Sequence, residues 1–407
     1  MSKKYLTYIV IFLLLITFVF INFKKNVQYK HSYKFTPLAK MNIARAYHQS
    51  ILLDDDNILI VGGTNNTDEI NEKYGVKTGL KSTEIYNFKS NKFTLANETN
   101  LPHVYHNLFK MDNGNIVVAD FNGIEIFDVK TKKFKLLKTK PSSNTPQFNS
   151  YKFVLLPNDR LLVLGGGSFV QYNKEPKMLN KGEIIDLNRD KLVKTFDIMG
   201  SGFGTLQLPN NNIIIAGGYS SRYNYLTDIY LFDAKNLKYS KFSQLKNGIV
   251  NPFMFLYGNN VLILGGKIIK NSKIAPQTDV EILNLNTKQT KTLDISKHLI
   301  GGFIDPPYRI VNAFQLDNGK IFILKTNDLN VSPFILNIEK IDNNKITKEP
   351  IFYKKEALYK ASILKKSDKI FINGGQVRGD VHYDVSYYDE AIIEEQKIEK
   401  TSLIMKK

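Results

Sequence analysis

Seven times along the chain, a run of four apolar residues follows a polar side chain and a cluster of turn-forming residues. The runs occupy 58–61, 116–119, 161–164, 213–216, 261–264, 321–324 and 370–373. Each is continuous and rich in β-branched side chains, and too short for a helix to compete, so it reads as a strand buried on both faces. The preceding clusters include Asp54-Asp55-Asp56, Asp112-Asn113-Gly114, Pro157-Asn158-Asp159 and Gly258-Asn259. Asn, Asp and Gly tolerate the positive φ of a tight hairpin, which makes each run the second strand of an antiparallel pair. The first strand is the apolar stretch upstream, such as 50–53 or 153–156. A third stretch closes on Asp or Asn at 87, 128, 186, 233, 284, 337 and 389. Six residues beyond the first four of these, Phe93, Phe134, Leu192 and Tyr239 open a fourth strand.

Four antiparallel strands repeated seven times are the pattern of a seven-bladed β-propeller, so the expected fold class is all-β. Blade cores are expected at about 45–97, 103–138, 150–195, 203–243, 250–293, 309–348 and 358–400, within a propeller domain of 34–407. The ends predict how the ring closes. Lys34-Phe35-Thr36-Pro37-Leu38, ahead of Arg45 and His48, matches Lys92-Phe93-Thr94-Leu95, ahead of His103 and His106. Residues 34–41 are therefore placed as the fourth strand of the last blade, beside Tyr387-Tyr388, where they remove an exposed sheet edge. Residues 398–404 are the competing choice for that strand.

Five of the seven runs end in Gly-Gly, at 62–63, 165–166, 217–218, 265–266 and 374–375, whereas copies two and six carry Ala119-Asp120 and Leu324-Lys325. This unit resembles the kelch repeat, in which a Gly-Gly pair ends the second strand of each blade. The resemblance covers about residues 35–400, although the fourth-strand Trp of that family is missing, because the chain has no Trp. The glycines are read as close backbone packing, not as a phosphate cradle. Gly200-Ser201-Gly202-Phe203-Gly204 precedes a strand, so it lacks the helix N-terminus that a phosphate loop needs.

The N-terminus adds a second feature. After a four-residue tail, 5–23 is a run of nineteen residues without a charge, bounded by Lys3-Lys4 and Lys24-Lys25. At about 1.5 Å per residue, a helix of this length spans the hydrocarbon core of about 30 Å. Its large exit residues Phe20-Ile21-Asn22-Phe23 do not suit a cleavage site, so an uncleaved single-pass signal-anchor is expected. A linker, 24–33, follows, and the propeller is placed on the periplasmic or extracytoplasmic side. The chain has no Cys, which removes disulfides and thiolate metal sites. The net charge of +18 comes from lysines dispersed over strand and turn positions, without a basic stripe interleaved with aromatics. A solvated surface drawn to anionic lipid or acidic glycan fits this distribution better than nucleic-acid binding.

Candidate chemistry gathers before the first strands. Counting nine residues back from the polar residue that opens each second strand gives His48, His106, Tyr151, Phe203, Asn251, Val311 and Lys360. Arg45 and His103 lie three residues earlier, and Arg309 stands beside them in copy six. Arg222 and Arg378 lie in loops after Gly-Gly. Together these offer imidazole, phenol, amide and cation to an anionic or sugar ligand. The same Arg and His positions also suit hydrogen bonding between blades. Asp54-Asp55-Asp56 reads as turn chemistry, no metal or other cofactor is expected, and no nucleophile elbow or zinc motif occurs.

Two functions follow as expectations. The first is a membrane-anchored, non-catalytic module that binds a protein or acidic glycan in the cell envelope and touches lipid through 5–23. The second, implied by resemblance to kelch-type sialic acid mutarotases, is an enzyme with His48, His106 and Arg45, Arg222 or Arg309 as acid-base and carboxylate-binding groups. Copper-radical oxidation as in galactose oxidase needs a Cys cross-linked to a Tyr, which this chain cannot supply.

Overall fold

A computed structural model describes residues 34–65, 79–142, 151–168, 177–221, 224–270, 273–294, 309–316, 319–326, 331–340, 345–350, 361–366, 369–374, 376–377, 397–398 and 402–406. The expected anchor at 5–23 lies outside them. Among the described residues no helix is long and apolar enough to cross a membrane.

The described residues are all-β and antiparallel. Among the described residues are seven four-stranded sheets, numbered here in chain order, and four two-stranded ribbons. Sheet 1 runs through Gln49–Leu52, Asn57–Val61, Thr83–Asn87 and Lys92–Ala96 in spatial as well as sequence order. Sheets 2 to 6 repeat that meander at 107–136, 151–197, 204–244, 253–294 and 309–350. The ribbons occupy the variable loops after the second strands of sheets 3, 4, 5 and 7.

Sheet 7 draws on both ends of the chain. Its order is Ser362–Lys366, Lys369–Asn373, Ser402–Lys406 and Lys34–Pro37. The N-terminal strand does take the outer place, but its partner is Ser402–Lys406, with Phe35 opposite Met405. The expected neighbours at 386–389 lie outside the described residues. Leu403-Ile404-Met405 is the more apolar run, and it supplies the third strand next to Lys369–Asn373.

Second strands are the buried centre of every sheet, as the continuous apolar runs require: Ile58 to Val61, Ile116 to Ala119 and Ile213 to Ala216 are all essentially inaccessible. Cores form between consecutive sheets. Val117 and Ala119 of sheet 2 pack with Phe153 and Val163 of sheet 3, and Leu162 and Leu164 of sheet 3 with Ile213 and Ile215 of sheet 4. Tyr86 of sheet 1 stacks on Phe371 of sheet 7 at 5.2 Å between centroids. First strands touch between most neighbouring sheets, as Gln49–Leu52 does with both Ser362–Lys366 and Asn107–Lys110. Fourth strands are mostly exposed and lie outermost.

The Gly-Gly pairs sit where one sheet meets the lead-in to the next. A Cβ on Gly62 would collide with the carbonyl oxygen of His103, one on Gly217 with that of Ile249, and one on Gly374 with that of Arg45. All three glycines have φ between 61° and 69°. Strand register puts Ala119 opposite Asn107, as Val61 is opposite Gln49, so Asp120 and not Ala119 stands in the place of Gly62.

Candidate functional site

In four sheets the residue two before the first-strand position paired with the end of the second strand adopts a left-handed turn. Tyr47 (φ 58°), Tyr105 (φ 57°), Gly202 (φ 68°) and Asn251 (φ 52°) hold this place in sheets 1, 2, 4 and 5. The N–H of Tyr105 donates to the carbonyl of Tyr47 at 3.2 Å, and that of Asn251 to Gly202 at 2.8 Å. Neighbouring sheets are thus laced together at this end. A left-handed backbone at tyrosine costs on the order of 1–3 kcal/mol, so the surroundings must enforce it. The two rings meet edge to face at 4.5 Å, with Tyr47 buried and Tyr105 39% exposed.

Two residues earlier stand Arg45 and His103, both fully buried. Arg45 Nη1 donates to the carbonyls of Gly62 (2.8 Å) and Ser82 (3.0 Å), and Nη2 to Glu84 Oε1 (3.0 Å). Glu84 also accepts the backbone N–H groups of Asn42 (2.7 Å) and Ile43 (3.0 Å). Burial lowers the basicity of Arg45, opposed by the Glu84 carboxylate. His103 lies 2.8 Å from Asp120 through Nδ1 and 3.1 Å from Glu125 through Nε2. Burial works against its charge, but the two carboxylates outweigh that and raise its pKa to about 9. At neutral pH it is an imidazolium donating from both nitrogens.

His48 and His106 are also inaccessible to solvent. His48 Nε2 is 2.5 Å from Oδ1 of Asn373 and so joins sheet 1 to sheet 7. Burial and then the Arg45 charge push its pKa down to about 3. His106 lies 5.7 Å from His103 between ring centroids, and neither of its nitrogens has a hydrogen-bond partner among the described residues. Burial, then the charges of His103, His48 and Arg45, hold it well below the usual imidazole range. A general acid or base needs a pKa near the working pH. Here one imidazole is fixed as a cation and two as neutral groups.

The remaining sequence candidates belong to sheets 3, 5 and 6 or lie outside the described residues. Tyr151 is half-buried and its hydroxyl donates to the carbonyl of Ser142 at 2.8 Å. Asn251 is exposed. Register gives Pro252 and Ala361, not Asn251 and Lys360, as the equivalents of His48. Sheets 5 and 7 join their first two strands through two residues, where the others use three, so a fixed count overshoots by one. Arg309 begins the first strand of sheet 6, whereas Arg222, Lys360 and Arg378 lie outside the described residues. Asp54 is turn chemistry: its Oδ1 accepts the N–H groups of Asp56 and Asn57, each at 2.8 Å. Among the described residues no three His, Cys, Asp or Glu side chains are grouped to hold a metal ion.

The sequence reading missed the carboxylates. Glu84, Glu125, Glu183 and Glu281 occupy one place in four third strands, and each accepts backbone N–H from the segment leading into its own sheet. Their recurrence was a visible signal. Lys152, half-buried on a first strand, was also missed; burial lowers its pKa.

No protein-family model matches the sequence, and no curated protein matches it. Among solved structures, a fungal alcohol oxidase of the AA5 family in complex with copper aligns with a TM-score of 0.62 and 14% identity. The match covers 92% of this chain and 76% of that one. The protein YjhT aligns with a TM-score of 0.47 and 12% identity over 76% of this chain and 99% of its own. The first likeness is one of fold alone, and the second is too remote to carry an argument.

Proposed function

We propose that the chain is a seven-bladed β-propeller of the kelch type, anchored through 5–23 with 34–407 on the extracytoplasmic side. Its role is that of a non-catalytic module that binds a protein or acidic glycan at the end bearing Tyr105 and the Gly-Gly loops. Support for the ring comes from seven consecutive four-stranded sheets, from first strands that touch between sheets 7 and 1, 1 and 2, 3 and 4, 4 and 5, and 5 and 6, and from a last sheet that combines both chain ends. The observation that carries binding over catalysis is the state of the buried cluster. Arg45 and His103 are spent on Glu84, Asp120 and Glu125, and no imidazole in it titrates near neutrality.

The copper of the alcohol oxidase does not transfer to this chain. There is no Cys to modify a tyrosine, and among the described residues no three His, Cys, Asp or Glu side chains are grouped, so the residues do not fit that metal.

Cross-linking from the membrane-embedded full chain tests the binding face. Tyr105→p-benzoylphenylalanine is expected to capture an envelope component at several times the yield of the same group at Leu95, which is 62% exposed on an outer strand. Equal yields at both positions overturn this reading. The unpartnered nitrogens of His106 favour a second reading, sugar mutarotation. Exchange between N-acetylneuraminate anomers, followed by NMR with and without the protein, decides it: no acceleration dismisses the enzyme.

A further inference from the structure

At the residue that opens the second strand, sheets 3, 6 and 7 carry a cation, Arg160, Lys320 and Lys369, where the other four carry Asn, and in sheet 3 a polar cleft opens there. Asn57, Asn115, Asn212 and Asn260 open the second strands of sheets 1, 2, 4 and 5. Each uses its side-chain oxygen to hold the last residue of the third strand or the one after it. Asn57 accepts from Asn87 Nδ2 (2.9 Å), Asn115 from the N–H of Val129 (3.2 Å), Asn212 from the N–H of Ala234 (3.2 Å) and Asn260 from Asn284 Nδ2 (3.2 Å).

In sheet 3 the equivalent residue is Arg160, which has no acceptor to offer. Its neighbour Asp159 takes over the task. The Asp159 carboxylate accepts Asn188 Nδ2 (3.1 Å) and the N–H of Asp112 (2.9 Å), while its carbonyl accepts the N–H of Leu187 (3.1 Å), as the carbonyls of Asp56 and Asn259 do from Phe88 and Leu285 in sheets 1 and 5. Asn158 and Asp159 are left-handed in succession, at φ 62° and 54°.

Arg160 is left without a hydrogen bond or ion pair among the described residues, and its Nε is buried with no partner. Asp186 stands opposite it in the strand register but turns instead to the N–H of Arg189 (2.9 Å) and lies 3.5 Å from Arg189 Nη1. Asn158, Arg160, Asp186, Asn188 and Arg189 line a cleft of about 320 Å³. It lies at the opposite end of the strands from Tyr105 and does not depend on the binding face proposed above.

We propose that this cleft binds a carboxylate-bearing sugar unit. The idle guanidinium is a fork matched to a carboxylate. Two arginines against one aspartate leave a single positive charge in the lining, which suits a monoanion. The Asp186 carboxylate repels a phosphate dianion yet accepts hydroxyl donors, and the amides of Asn158 and Asn188 serve hydroxyls of either polarity. The volume lies at the small-ligand end of the range for binding clefts, roughly 300–1,000 Å³.

Calorimetric titration of the detergent-solubilised full chain tests this, with glucuronate, its methyl ester, glucose and inorganic phosphate as probes. Glucuronate is expected to bind, and the ester and glucose at least tenfold more weakly. Arg160→Asn installs the residue used by four other sheets, so it is expected to fold with an unchanged melting temperature while losing at least tenfold in glucuronate affinity. Arg189→Gln, on a largely exposed side chain, is expected to lose several-fold and guards against a folding defect in the first variant. Absence of glucuronate binding, equal binding by Arg160→Asn, equal binding of the ester, or tighter binding of phosphate each overturns the proposal.

Discussion

Arg45 Nη2 and Glu84 Oε1 are 3.0 Å apart, with both side chains fully inaccessible to solvent. In the next sheet His103 and Glu125 repeat the relationship at 3.1 Å. Each pair ties the segment entering a sheet to that sheet's third strand. Removing one member strands a buried charge, which costs about 3–5 kcal/mol. Glu84→Gln is expected to lose this much in urea unfolding, whereas Arg45→Met with Glu84→Leu should recover a good part of it. A loss below about 1 kcal/mol for Glu84→Gln would show that the pair does not brace the fold.

Alkaline stability should report on His103. Its folded pKa, about 9, lies above the ordinary 6.5. The stabilisation is therefore complete below pH 6.5 and is lost as pH rises towards 9, at up to about 1.4 kcal/mol per pH unit. The stability deficit of His103→Asn relative to wild type is expected to be largest at pH 6 and to shrink by pH 9.5. A deficit independent of pH would count against the imidazolium.

The acid limb has the opposite sign. His48, with its pKa pushed to about 3, and His106, also lowered, are held neutral in the fold. Their contributions are present above pH 6.5 and fall away as pH drops below it, because the unfolded chain then takes up protons that the fold refuses. His106→Phe carries the residue that sheet 4 has at Phe203, the same place in the repeat. It should keep its neutral-pH stability and lose stability less steeply between pH 6 and 4. Parallel pH profiles for variant and wild type would contradict this.

Glycine replacements should separate crowding from backbone strain. Gly62 and Gly114 both have positive φ, at 61° and 85°, but only Gly62 faces a collision, with the His103 carbonyl; nothing lies within 4 Å of a Cβ on Gly114. Gly114→Ala is expected to cost about 1 kcal/mol and Gly62→Ala at least twice that. Equal losses would mean that the contact between sheets 1 and 2 yields easily.

The hairpins were legible because their causes are local. Four-residue apolar runs between Asn, Asp and Gly clusters cannot be satisfied except as central strands, and all seven runs hold that place. The candidate site was legible only in part. His48, His106 and Arg45 announced themselves by recurring spacing, but a constant count failed in sheets 5 and 7, where the hairpin is one residue shorter.

By itself, the amino-acid sequence determined the seven central strands, the turns before them and the outer position of the N-terminal strand, since periodic burial and turn chemistry act over a few neighbours. Only the tertiary structure decided what the charged groups are. Whether an imidazole is a proton carrier, a fixed cation or a neutral packing group depends on how much water it loses and which carboxylates reach it. For His103 those are Asp120 and Glu125, one of them in place of a glycine. For His106 no described group reaches either ring nitrogen. Desolvation and pairing come from packing between strands distant in sequence, and no local pattern encodes them.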